Sequence, residues 1–303
     1  MMPEKNTAIR YGIAEQLEPG LRRVIAPNPS PMTLHGTNSY ILGEGRVAII
    51  DPGPADLAHF TALLAALAPG EKVTHILVTH AHLDHSPLAR PLAEATGAPV
   101  LAFGDARSGR SALMEKLAET GGLEGGEGVD AGFSPDEEVS DDSTISGPDW
   151  AIKTWHTPGH FGNHLCFQWG EAFFSGDQVM GWASSLVSPP DGDMGAYMAS
   201  LDRLSALRPQ RMYSGHGAPI PDALARIAEL STHRRERETT IRNALSEGPA
   251  NAITLAHKIY TDTPAGLLRA AARNVFAHLI DLTERNLVEP CGALSFGTSF
   301  SAR

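Results

Sequence analysis

The chain has 303 residues, of which 42% are hydrophobic and 19% charged, and a formal net charge of -11. That length fits one large domain or a catalytic domain with an appendage, because single cores rarely grow past about 250 residues. The composition excludes global disorder. The acid excess counts against general nucleic-acid binding, since a phosphate backbone is repelled unless basic side chains gather on one face.

Two cysteines, Cys166 and Cys291, lie too far apart for a disulfide framework or a cysteine metal site, and both read as buried apolar side chains. The sequence holds no stretch of about 18 apolar residues, and its start, MMPEKNTAIRYG, lacks the pattern of a secretory leader. The cytoplasm is therefore the expected compartment, with no membrane partner.

In chain order, apolar runs at Ser39 to Leu42, Val47 to Ile50 and Val73 to Thr79 read as strands, and LAHFTALLAAL at Leu57 to Leu67 as an amphipathic helix closed by Pro69 and Gly70. Strands alternating with helices imply an α/β architecture. From Gly104 to Pro148 glycines and acids dominate around one helical stretch, Ser111 to Thr120. This insertion reads either as a solvated excursion or as a mobile segment, centred on Gly121 to Gly128, that shapes the substrate entrance. Strands resume at Ala151 to His156, His164 to Trp169, Ala172 to Ser175 and Arg211 to Tyr213. The tail is helical at Ala225 to Ser246, Ile253 to Tyr260 and Leu267 to Asn286, then ends in a short apolar segment at Leu287 to Val288. Three helices and a strand resemble a winged-helix unit. Residues 1–222 are thus expected to form the catalytic domain and 223–303 a small helical domain whose apolar faces pack against it.

The chemistry concentrates in VTHILVTHAHLDHS, where an apolar strand runs directly into His80, His82, Asp84 and His85. Four polar groups beside a hydrophobic strand are costly without a partner, and imidazole nitrogens with carboxylate oxygens suit zinc. The alternation allows His80 and His82 to grip one ion while Asp84 and His85 face a second. Each ion then lacks ligands, and later strand ends supply candidates: His160 in TPGH, Asp177 in FFSGD and His216 in YSGHG.

In this order the motifs resemble the metallo-beta-lactamase superfamily, whose pattern is an aspartate, then HxHxDH, then a histidine, an aspartate and a histidine after successive strands. Asp51 in IIDPG completes the match, which runs from about Pro27 to Pro221. The resemblance implies an αββα sandwich followed by a C-terminal helical, winged-helix-like domain. It also implies two Zn2+ ions, with iron or manganese as alternatives: His80, His82 and His160 on one, Asp84, His85 and His216 on the other, and Asp177 bridging. A metal-bridging hydroxide would be the nucleophile, with Asp84 also relaying its proton, and Asp51 would order the motif loop without binding metal. On the residues alone Asp51 reads equally as a turn aspartate. His35, His156 and His164 stay open between site and packing roles, while His59, His75, His233, His257 and His278 read as packing or surface residues.

PSPMTLHGTNSYIL at Pro29 to Leu42, with the helical tail, is similar to the lactamase-beta-like endoribonuclease subgroup. Substrate class is left between a small ester, thioester or lactone, placed first, and RNA or another phosphodiester. A true beta-lactamase and a non-enzymatic winged-helix binder rank lower: no cysteine stands in a ligand motif, and a binder needs no seven-ligand set. Met180, Trp182, Leu186 and Val187 are expected to line an apolar approach. Arg234, Arg235 and Arg237 alternate with Glu236 and Glu238, so they read as a solvated helix face before they read as an RNA patch. Oligomeric state has no signal.

Overall fold

The computed structural model describes residues 9–120 and 128–303. A seven-stranded sheet runs in the order β1 (Glu15–Glu18), β2 (Leu21–Ile25), β3 (Asn38–Leu42), β4 (Arg46–Ile50), β5 (Lys72–Leu77), β6 (Val100–Ala102) and β7 (Glu137–Glu138). A five-stranded sheet runs β12 (Arg211–Ser214), β11 (Ala172–Gly176), β10 (Leu165–Trp169), β9 (Ala151–His156) and β8 (Thr144–Ser146).

Side-chain alternation along the strands builds the layers. In β4, Ala48 and Ile50 point between the sheets, where they meet Leu77, Leu165, Phe167 and Phe174. Val47 and Ile49 point outward to α1 (Leu57–Ala65) and α2 (Ala89–Thr96), meeting Leu63 and Leu92. The second sheet does the same: Phe174 faces inward, and Phe173 and Cys166 face outward against Tyr197, Leu201 and Leu204 of α4 (Met194–Ala206). The result is the expected αββα sandwich. Each buried aromatic or aliphatic side chain contributes about 1.5–3 kcal/mol by leaving water.

The insertion after β6 contains α3 (Ala112–Thr120) and gives each sheet an edge strand, β7 and β8. It also lies against the motif loop, where Asp130 Oδ2 accepts a hydrogen bond from Ser86 Oγ (2.7 Å) and Gly128 O accepts from Leu83 N (2.8 Å). The glycine-rich stretch expected to shape the entrance falls, at 121–127, outside the described residues.

The tail comprises α5 (Ala223–Leu245), α6 (Ala252–Ile259), α7 (Leu268–Glu284) and a hairpin of β13 (Val288–Pro290) with β14 (Phe300–Ala302). Asp222 and Asn251 cap α5 and α6, accepting from Ala225 N and Thr254 N. Phe276, Leu279 and Ile280 of α7 pack with Ile241, Leu255 and Phe300, and this cluster includes Met114 and Leu117 of α3. Ile227 and Leu230 of α5 pack instead with Tyr197 and Leu204 of the sandwich. Among the described residues no helix is long and apolar enough to cross a membrane.

Three sequence readings need correction. Cys166 is buried as expected, but Cys291 is exposed in the turn after β13. Met180 and Val187 are buried, Val187 within the core beneath α4, so only Trp182 and Leu186 keep partial exposure for an approach. Arg234 is no part of a solvated face: it is 2% exposed, because it continues the apolar stripe of Ile227 and Leu230 on α5 and enters the seam with the sandwich.

Candidate metal centre

All seven expected donors meet at one edge of the sandwich, each delivered by a strand end. β5 leads into Thr79 and the loop bearing His80, His82, Asp84 and His85; β9 leads to His160, β11 to Asp177 and β12 to His216. Two glycines make the convergence feasible. A side chain at Gly176 would come within 2.6 Å of His164 Nε2, and one at Gly215 within 2.4 Å of Asp177 Oδ1 and 2.6 Å of His85 Cε1. The glycine of SGHG therefore leaves the space that Asp177 and His85 need, and that of SGD leaves room for His164 behind them.

Three donor groups form, each with its atoms within 4.8 Å: His80, His82 and His160; His80, His85 and Asp177; Asp84, His85 and His216. In the first, His82 Nδ1 lies 2.9 Å from His80 Nε2 and 3.1 Å from His160 Nε2. The far nitrogens are engaged elsewhere. His160 Nδ1 donates to Leu186 O (2.6 Å), His216 Nδ1 donates to Gly36 O (3.2 Å), and His80 Nδ1 lies 3.0 Å from Thr79 Oγ1. Asp51, its backbone in the left-handed region at φ 50°, ties this frame together. Its carboxylate accepts from Thr79 N (2.7 Å) and Thr79 Oγ1 (2.8 Å) and pairs with His85 Nδ1 (2.9 Å).

With those protons committed, His80 Nε2 and His160 Nε2 present lone pairs to His82, whose single Nδ1 proton can satisfy only one of them. Buried His85 Nε2, His216 Nε2 and Asp177 Oδ1 have no hydrogen-bond partner. His85 Nε2 stands 3.5 Å from Asp177 Oδ1, and His216 Nε2 stands 3.3 Å from Asp177 Oδ2 and 3.2 Å from Asp84 Oδ2. Buried polar atoms crowded together without partners are costly, and divalent cations among them would satisfy the whole set.

The electrostatics divide the centre. Burial and the neighbouring His160 push His82 down to about 3, and burial likewise lowers His80 and His160. Burial also opposes protonation of His216, but Asp177 and Asp84 outweigh it and raise that imidazole to about 9. His85 is raised the same way by Asp84, Asp177 and Asp51. Although burial works against their ionised forms, Asp84 is held below its ordinary range by His85 and His216, and Asp177 by His216 and His85.

The remaining histidines separate clearly. His164 is fully buried, stacked on His80 with ring centroids 5.1 Å apart, and its Nδ1 meets Thr157 Oγ1 at 3.0 Å. It backs the centre without joining a donor group. His156 stacks on Phe103 and donates to Gly162 O, a packing role, and His35 is half-buried in the loop beside Gly36. Thr79, the carbonyls of Leu186 and Gly36, and Asn163, whose Oδ1 accepts from Ala81 N (3.2 Å), escaped the sequence reading. Backbone acceptors leave no side-chain signal, and Thr79 is marked only by preceding His80.

A family model described as Metallo-beta-lactamase superfamily matches residues 32–216, and one described as Beta-lactamase associated winged helix domain matches residues 253–293. The chain belongs to the metallo-beta-lactamase superfamily, a hydrolytic superfamily that binds divalent metals. It is 32% identical over 272 residues to the Beta-lactamase-like protein 2 homolog of Drosophila melanogaster, covering 86% of each chain. It is 29% identical to an Atrochrysone carboxyl ACP thioesterase of Aspergillus fumigatus over 88% of this chain and 77% of that one. Among solved structures, a metallo-beta-lactamase family protein from Thermus thermophilus aligns with a TM-score of 0.75 at 26% identity, over 95% of this chain and 100% of that one.

Proposed function

We propose that the chain is a binuclear metallohydrolase acting on a small activated carbonyl compound, with a thioester as the foremost class and esters and lactones beside it. The observation that carries this reading is the convergence of seven buried or half-buried donors with three orphaned polar atoms among them. His80, His82 and His160 would hold one divalent cation, Asp84, His85 and His216 the second, and Asp177 both. Zinc suits this nitrogen and oxygen set, as do iron and manganese. When bound, such a pair lowers the pKa of water toward neutrality and polarises a substrate oxygen.

The protein's own groups supply the rest. Asp84 keeps 27% of its side chain exposed where Asp177 keeps 9%, so it is the carboxylate that an entering water meets and the one that accepts its proton. His164 and Phe161 close the back of the site behind His80 and His82, which keeps bulk water to the open side. Leu83, 51% exposed between His82 and Asp84, gives the mouth an apolar edge. Trp182 adds another beside Gly217, since a Cβ there would sit 2.9 Å from its Cδ1. An acyl chain fits such walls better than a phosphate backbone does. The thioesterase relative points the same way.

The test is a comparison of kcat/KM for short acyl thioesters, lactones and unstructured RNA at one metal and salt concentration. Thioester cleavage at least about tenfold faster than RNA cleavage is expected. Faster RNA cleavage, abolished by His82→Ala, overturns the substrate assignment.

A further inference from the structure

We infer that the tail helices aim part of the metal centre, by clamping the segment between β11 and α4 with buried guanidinium groups. The inference rests on the metal reading above and assigns Arg234, with Arg226, Arg273 and Asn274, as positioning residues.

From residue 180 to 189 the segment hands its backbone to the tail at successive points. Arg226 of α5 donates through Nε to Met180 O (2.7 Å) and through Nη2 to Ala183 O (2.8 Å). Arg234, about two turns further along α5, donates to Ser185 O. Asn274 of α7 accepts from Val187 N (2.9 Å) and from Arg234 Nη1 (3.3 Å), joining the two helices through the segment. Arg273 donates to Ser188 Oγ (2.8 Å) and to Pro189 O.

The same segment faces the metal donors from its other side. Leu186 O accepts the Nδ1 proton of His160 at 2.6 Å, and Ser185 Oγ donates to Asp177 O at 2.5 Å. Neighbouring residues are therefore held by the tail and by the donors at once: the Ser185 carbonyl goes to Arg234, and the Leu186 carbonyl goes to His160. The Leu186 contact fixes which nitrogen of His160 is free, and so turns Nε2 toward His82 and Asp177. Shifting this peptide shifts the ring.

The burial of these arginines argues for such a role. Arg234 is 2% exposed and Arg273 1%. Arg234 stacks over the Tyr197 ring at 5.0 Å, and its acceptors are a backbone carbonyl and an amide oxygen in place of a carboxylate. A buried guanidinium costs more than an apolar side chain of similar volume, so stability alone favours a methionine there. A planar fork with several donors, however, satisfies carbonyls of an irregular segment that no sheet could pair.

Zinc affinity of the full chain, measured by competition with a chromophoric chelator, tests the clamp together with the melting temperature of the zinc-free protein. Arg234→Met should weaken zinc binding by about tenfold while the zinc-free melting temperature holds or rises. Arg234→Lys should fall between that variant and the wild type, because one ammonium replaces a fork. Arg285→Ala, on the exposed side of the tail, should bind zinc as the wild type does. His160→Ala is the benchmark. If it loses zinc affinity while Arg234→Met stays within about twofold of wild type, the clamp is wrong and the metal reading stands. If His160→Ala binds zinc undiminished, the metal reading fails and the clamp with it. Should Arg234→Met not fold, Asn274→Ala, which frees Val187 N, reads the same quantity, and unchanged zinc affinity in it overturns the proposal.

Discussion

The strand-end cluster and the tail both bury polar groups, but they aim them at opposite kinds of partner. In the cluster, ring nitrogens and carboxylate oxygens face one another, and His85 Nε2, His216 Nε2 and Asp177 Oδ1 are left unsatisfied. In the tail, the forks of Arg226, Arg234 and Arg273 donate to carbonyl, hydroxyl and carboxylate oxygens that the chain itself provides, with Arg234 Nε left over. Burial of a charged or polar group therefore does not mark a reaction centre by itself. The mark is a shared deficit: nitrogen and oxygen atoms crowd together without partners, and protons on His85 and His216 take the place that cations would hold.

The largest expected effect comes from deepening that deficit. Asp177→Ala removes the carboxylate that approaches His85, His160 and His216 together. We expect bound metal to fall below one ion per chain and kcat/KM to drop by at least about 10³-fold, beyond the 10- to 100-fold typical of groups that only orient ligands. Elemental analysis and steady-state kinetics check both. A variant keeping two ions and a tenth of the wild-type rate would show that the cluster is no bridged centre.

Asp51→Ala is expected to do less, since Asp51 touches the frame and not the open cleft. Its loss leaves Thr79 N, Thr79 Oγ1 and His85 Nδ1 without their acceptor. Metal affinity should weaken by about 10- to 100-fold, with Asp51→Asn in between because one acceptor oxygen survives. A competitive metal titration decides it: affinity equal to wild type in both variants would reduce Asp51 to the turn residue that the sequence alone allowed.

The same contrast explains what could be read from the sequence. The motif loop was legible because an apolar strand ran into four polar side chains, and SGD and SGHG because each sets a polar side chain at a strand end in the order of the family pattern. Apolar strands between helices, as at Val47 to Ile50 and Leu57 to Leu67, pointed to an α/β chain, and the sandwich followed from the family resemblance that the motifs carry. Strands β1, β2, β6, β7 and β8 and helices α2 and α4 were not legible: EQLE, LRRVI, EE and TIS are short and carry charged or polar residues at sheet edges or on half-covered faces, and VLA of β6 is only three residues long. β14 gains its pairing from β13 and Ala250, contacts that no local pattern records. Arg234 was misread because charge alternation was weighed and helical phase was not. It follows Leu230 by four residues and precedes Ile241 by seven, on the stripe that α5 buries.

The smallest expected effect lies in the sandwich but outside the cluster, and asks whether a buried imidazole without a shared deficit behaves as plain packing. His59 of α1 is buried, with Nε2 2.8 Å from Ser39 Oγ and Nδ1 unpartnered. Burial lowers its pKa to about 4, against a smaller opposing pull from Asp56. An unfolded histidine takes up its proton near pH 6.5, whereas folded His59 does so only near 4, so the unfolded state binds more protons between those values. The contribution of neutral His59 is complete above pH 6.5 and is lost as pH falls through that window, amounting to about 1.4 kcal/mol by pH 5.5. His59→Gln keeps a donor for Ser39 Oγ and does not titrate. Urea unfolding of both proteins at pH 7.5 and 5.5 should show the wild type losing about 1.4 kcal/mol more than the variant. Equal losses would mean that His59 carries its proton in the folded state and pairs with Asp56, and the imidazole would then belong with the charged groups and not with the core.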